Sequence, residues 1–126
     1  MLRLLPRLLI GALGVLALFG ALRLWIDPTV PAATLGVSPV GGLGLATLRA
    51  DIGGFFGGMG AFALAAAIRD DRRLATVPLV LVGLALTGRL ITVGTEGLSP
   101  DMVMPIVVEA SLAALFAFGR RTLGVR

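Results

Sequence analysis

The stretch Leu45–Arg73 reads LATLRADIGGFFGGMGAFALAAAIRDDRR. From about Leu45 to Ile68 it is apolar and dense in glycine and alanine, and the charged run Arg69, Asp70, Asp71, Arg72, Arg73 then closes it abruptly. A membrane-crossing helix of about 20 residues that ends in a polar hairpin has this pattern. A hairpin this short makes the helices on either side of it antiparallel neighbours. Within the helix, Gly53, Gly57, Ala61 and Ala65 lie four apart on one stripe, and Ala50, Gly54 and Gly58 form the stripe beside it. Lipid gives helices no hydrophobic reason to associate, so small residues that let backbones approach closely are the usual source of cohesion.

Towards the C-terminus, a further span begins near Thr76, with Pro78 in its first turn, and runs to about Val93 as the shortest of the set. Thr95, Glu96, Gly97 and Leu98 make a tight turn. Ser99 then has the chemistry of an N-cap and Pro100 that of a first helical residue, so the last span starts there and ends near Phe118, before Gly119, Arg120 and Arg121. Towards the N-terminus, 27–44 contains Pro28, Pro31, Pro39 and several glycines, a composition that breaks regular structure. A connector this long is either a lid or re-entrant segment, or a plain linker. The first span, about Leu8 to Ile26, follows a leader with Arg3, Pro6 and Arg7, and Trp25 stands where an interfacial aromatic would anchor it. A signal peptide has a similar outline, but here the apolar run is long, Arg23 interrupts its far end and no A-x-A site follows.

The expected fold is therefore a single all-α membrane domain, 1–126, built as an antiparallel bundle of four transmembrane helices. Gly11, Gly14, Ala17 and Ala21 offer a small-residue face on the first helix, and Ala110, Ala113, Ala114 and Ala117 one on the fourth. The stripes of the second helix serve either packing within one chain or a homodimer interface.

Composition agrees with this outline. At 57% hydrophobic and 14% charged, the chain lacks the polar residues to cover a soluble domain of its length. All eleven basic residues are Arg, and the absence of Cys, His and Tyr excludes disulfides, Cys or His metal sites and imidazole proton shuttling. The Arg residues sit at span ends rather than on one basic face, which points away from nucleic acid. Arg3, Arg7, Arg69, Arg72, Arg73, Arg120, Arg121 and Arg126 fall on one side, and Arg23, Arg49 and Arg89 towards the other. The positive-inside rule then puts both termini and the central hairpin in the cytoplasm.

Four charges fall inside or at the outer ends of the last three helices: Arg49, Asp51, Arg89 and Glu109. Facing lipid, each would cost roughly 2.5–3.5 kcal/mol at mid-membrane. They are expected to find one another, Arg89 with Glu109 above all, because the two lie at similar depth on helices joined by a short turn. Two readings remain open. In one, the pairs only tie three helices together. In the other, they line an outward pocket in which Arg49 and Arg89 receive an anionic headgroup, Asp51 or Glu109 can take a proton, and Pro105 bends the fourth helix beside Glu109. No nucleophile, oxyanion hole or metal set accompanies the carboxylates, so the sequence leans away from an enzyme. Ser111 and Thr92 read as helix-to-helix hydrogen-bond donors.

Leu48-Arg49-Ala50-Asp51 with Gly53-Gly54, then Gly88-Arg89, then Glu96-Gly97 and Pro100, resemble an uncharacterised bacterial family, domain of unknown function 4345, which is similar to the wider DoxX-like group. The family more often carries Asp-Gly where this chain has Glu96-Gly97. The resemblance implies a small four-helix protein of the bacterial inner membrane. Through the DoxX-like group it also implies an accessory place in a membrane redox complex, with a lipid or quinone as hydrophobic ligand, by analogy of fold. The competing expectation is an oligomeric transporter or channel in which Asp51 or Glu109 carries a proton, since four thin helices hardly enclose an alternating path alone.

Overall fold

The computed structural model describes residues 4–124, and among these all regular structure is helical. In chain order the elements are α1 (Leu4–Ile26), α2 (Thr29–Thr34), α3 (Gly41–Thr47), a π-helical turn (Leu48–Ile52), α4 (Gly53–Arg69), α5 (Arg72–Glu96) and α6 (Pro100–Thr122). α3, the π-helical turn and α4 form one continuous rod, so four rods of 23, 29, 25 and 23 residues are each long and apolar enough to cross a membrane. Their outer surface is apolar, with Leu5 73%, Ile68 69%, Met104 69% and Leu84 64% exposed, which a water-facing surface could not sustain. Alanine is the commonest residue of the apolar interior, including Ala21, Ala32, Ala63, Ala66 and Ala75, together with Ile10, Val82 and Phe116. Arg3 and Arg126, which enter the charge count above, lie outside the described residues.

The closest packing is between α1 and α4, and it follows a different stripe from the one expected. On α1 the contact runs through Gly11, Gly14, Leu18, Ala21 and Trp25; on α4 it runs in the opposite order through Ala67, Leu64, Gly60, Gly57 and Gly53. Both sequences step alternately by three and four residues. Steps of four alone advance a helix by about 40° each and drift off a neighbour, whereas a 3-4 alternation loses only about 20° per seven residues and stays on it. That is why Ala61 is exposed and why a Cβ at Gly54 or Gly58 would meet nothing within 4 Å, although both had been expected in the packing. The tightest backbone-to-backbone approach in this seam is Gly14 against Gly60. A Cβ on Gly60 would stand 2.7 Å from the Gly14 carbonyl oxygen and 2.8 Å from the Leu18 nitrogen, so backbone meets backbone there.

At the hairpin end, Asp70 turns the chain with a left-handed φ of 53°, and the Asp71 carboxylate accepts from the Arg73 amide at 2.8 Å. This cap starts α5 at Arg72, four residues earlier than the apolar pattern suggested. At 25 residues α5 is therefore not the shortest rod, and Pro78 lies inside it rather than in its first turn. Arg7 donates from Nε to Ala67 O at 3.0 Å and from Nη2 to Ile68 O at 3.2 Å, satisfying carbonyls that the last turn of α4 leaves unpaired. The Gly124 amide reaches Asp70 Oδ1, and the Arg72 amide reaches the Gly124 carbonyl, so Gly124, just after α6, is tied to the same turn.

The stretch 27–44 is more ordered than its prolines imply. Pro31 sits in the first turn of α2, where an N–H has no helical partner to lose. α2 closes in a Schellman motif, with Gly36 at φ +71°, its amide bonded to Ala33 O and the Val37 amide bonded to Ala32 O. At its start, the Thr29 hydroxyl and amide both donate to Asp27 Oδ1, and these bonds hold the Asp27 carboxyl below the ordinary carboxylate range.

Candidate functional site

Arg89 and Glu109 meet across the α5–α6 contact, Nε to Oε1 at 2.7 Å, as the only ion pair among the described residues. Three residues, Gly97 to Ser99, join the two helices. α5 extends to Glu96 rather than Val93, so Arg89 lies about 10 Å and Glu109 about 13 Å along their helices from the turn, a closer match in depth than the sequence alone suggests. The pair uses one nitrogen and one oxygen. Glu109 Oε2 is buried with no hydrogen-bond partner, and the Arg89 Nη atoms donate to none of the described residues.

Arg49 does not join this pair, contrary to expectation. Its Nε donates to Trp25 O at 3.0 Å while Trp25 Nε1 donates to Arg49 O at 3.0 Å. The first bond satisfies a carbonyl orphaned at the end of α1. The second takes up a carbonyl in the π-helical turn. Gly53 makes this possible, since a Cβ there would lie 2.6 Å from Trp25 Nε1. Trp25 is thus a packing and hydrogen-bonding group on Arg49 and Gly53 as well as a partly exposed aromatic. Two residues on from Arg49, Asp51 faces the other way.

Asp51, Arg89 and Glu109 line a cavity of about 620 Å³, and Arg89 and Glu109 also line a neighbouring one of about 440 Å³ that reaches Asp101. Leu35, Phe55, Phe56 and Ala85 border both, so the two are lobes of one space divided by the ion pair. The Phe55 and Phe56 rings stand edge to face with centroids 5.5 Å apart. On α6 the second lobe is bounded by Asp101, Met104, Pro105, Val108, Glu109 and Leu112, the i, i+3, i+4 face of one helix. Asp101 lies eight residues before Glu109 on that face, so the helical period is the sequence signal for its place in the lining. The adjacent phenylalanines, set among glycines, were the other unread signal. Leu35 and Val37, from the stretch after α2, close the side nearest the Trp25 end.

Glu96 and Gly97 stand apart from this space. Glu96 is exposed at the last turn of α5, and Gly97 ends the helix at φ 88°, ψ 167°, a region open essentially to glycine alone. Gly97→Ala is expected to cost about 1–3 kcal/mol without altering the cavity, measurable as a lowered Tm in detergent. Ser111 and Thr92 bond back to Val107 O and Gly88 O of their own helices, the usual local alternative for hydroxyls in apolar surroundings, and so bridge nothing. Ser99 caps α6 in position only, its hydroxyl being turned to the Asp101 carboxylate. No family model, curated protein or solved structure matches this chain.

Proposed function

We propose that the protein is a multi-pass protein of the bacterial inner membrane, an antiparallel four-helix bundle that binds an amphiphilic ligand in the two-lobed cavity. What supports this reading is an ion pair only half used, with a buried free oxygen, set in a space whose other walls are apolar apart from Thr34, Asp51 and Asp101. Cavities that bind small amphiphiles have this balance of apolar walls with a few polar groups. A purely structural pair would be expected to use both carboxylate oxygens. Kinship with domain of unknown function 4345 belongs to the same proposal and rests on the short segments around Asp51, Arg89 and Gly97.

A long-chain alcohol carrying a diazirine, a neutral amphiphile, tests the reading in nanodiscs. Saturable photolabelling is expected within Phe55–Phe56 and Met104–Leu112, competed by unlabelled alcohol and lost in Ala85→Trp, which fills the space between the lobes. Label spread evenly over lipid-facing residues such as Leu8 and Leu16 would remove the cavity from consideration.

Orientation is part of the proposal. Arg7, Arg69, Arg72, Arg73, Arg120 and Arg121 gather at the hairpin end, and the positive-inside rule makes that end cytoplasmic. The chain has no Cys, so Val37→Cys is a unique label site. It is expected to react with an impermeant maleimide only from the non-cytoplasmic side. Reaction only from the cytoplasm would invert the topology and the side on which the cavity opens.

A further inference from the structure

The charge of the cavity points to the class of ligand. A headgroup carrying negative charge would need a surplus of guanidinium groups, and Arg49 would have to supply it. Arg49 is committed to Trp25, which leaves Arg89 as the cavity's basic residue among those described. Against it stand three carboxylates: Asp51 in the first lobe, Asp101 in the second and Glu109 between them. Arg89 and Glu109 neutralise each other, so the charge offered to a ligand is that of Asp51 and Asp101, with Glu109 Oε2 as an acceptor that the pair leaves unused.

From this we infer that the cavity takes an amphiphilic organic cation, an ammonium or phosphonium group with an apolar body. The inference rests on the amphiphile-binding reading above and replaces the anionic headgroup that the sequence suggests. The two phenylalanines support it independently. Both border both lobes, and an aromatic face attracts a poorly hydrated cation where it would only repel an anion. An inorganic divalent ion fits less well, because among the described residues no three acidic groups converge closely enough to hold one. Carboxylates spread around an apolar space suit a diffuse charge. Asp51 and Asp101 lie nearer the Trp25 end than Glu109, which is about 12 Å further along α6 than Asp101, so the cation meets acidic groups at the entrance and again inside.

The probe is tetraphenylphosphonium, with its near-isosteric anion tetraphenylborate as counterpart, each titrated calorimetrically into the full-length protein in nanodiscs. The phosphonium is expected to bind saturably and the borate not at all. Asp51→Asn and Glu109→Gln should each weaken the phosphonium by about tenfold or more, with Asp51→Glu restoring most of the loss. Thermal melts of each variant show whether it is folded; should Glu109→Gln fail to fold, Asp51→Asn and Asp101→Asn carry the test. Binding of the borate as tightly as the phosphonium would overturn the inference, as would phosphonium binding indifferent to both Asp51→Asn and Asp101→Asn. In either case, saturable labelling by the neutral alcohol would still leave the cavity reading intact. If neither ion binds and the alcohol does not label, both readings fall together.

Discussion

Gly60→Leu is expected to cost at least about 3 kcal/mol and to be among the most damaging single changes in α4, reported as loss of folded yield or a collapsed Tm in detergent. The neighbours of the added carbon would be the Gly14 carbonyl oxygen, the Leu18 amide nitrogen and Leu18 Cγ; the side chain can shift, but the two backbone atoms cannot, so α1 would have to separate from α4. Gly57→Leu should be milder. Its nearest neighbours are the Trp25 ring at 3.3 Å and Ala21 Cβ at 3.7 Å, side chains that can shift. Gly58→Ala supplies the control, since its Cβ would meet open space and alanine favours the helix by about 1 kcal/mol over glycine. Its Tm should hold or rise. Equal tolerance of Gly60→Leu and Gly58→Ala would mean that the 3-4 seam does not hold the two helices together.

What could be read from the sequence divides along a physical line. The four rods were legible because a hydrophobic run of about 20 residues is an obligatory signal in lipid, and Ser99-Pro100 marked the start of α6 directly. The Arg89–Glu109 pair was legible because two helices joined by three residues keep their register, so counting residues from the turn gives depth. Arg49 was not legible. Its direction depends on a π-helical turn, which residue propensities do not announce, and on a hydrogen bond to a tryptophan 24 residues away. The glycine seam failed for a related reason: the four-residue stripe Gly53, Gly57, Ala61, Ala65 and the 3-4 seam Gly53, Gly57, Gly60, Leu64 coincide at their first two members. Only the partner helix decides between them. The cavity's acidic balance could not be seen until Arg49 had been placed elsewhere.

Arg89→Leu is expected to lose about 3 kcal/mol, near the lower end for a broken buried pair because the Arg89 side chain is 33% exposed while that of Glu109 is 17% exposed. The loss arises less from the attraction removed than from the carboxyl group left behind. Glu109 Oε2 already has no hydrogen-bond partner, and without Arg89 the Oε1 atom would have none either among the described residues. Removing the carboxyl as well should therefore recover most of the stability, and Arg89→Leu with Glu109→Leu is expected to melt within about 1 kcal/mol of the native protein. Glu109→Leu alone should fall between, since Arg89 is exposed enough to swing its guanidinium towards the Trp25 end. The coupling energy from this double-mutant cycle shows whether the two groups interact, and ligand binding to the double variant then separates structure from function. A stable double variant that no longer binds tetraphenylphosphonium makes the pair part of the binding site, whereas one that binds as before makes it a tie between α5 and α6. Strictly additive losses would mean that the two side chains do not share a contact in the membrane, and the two-lobed cavity they divide would have to be redrawn.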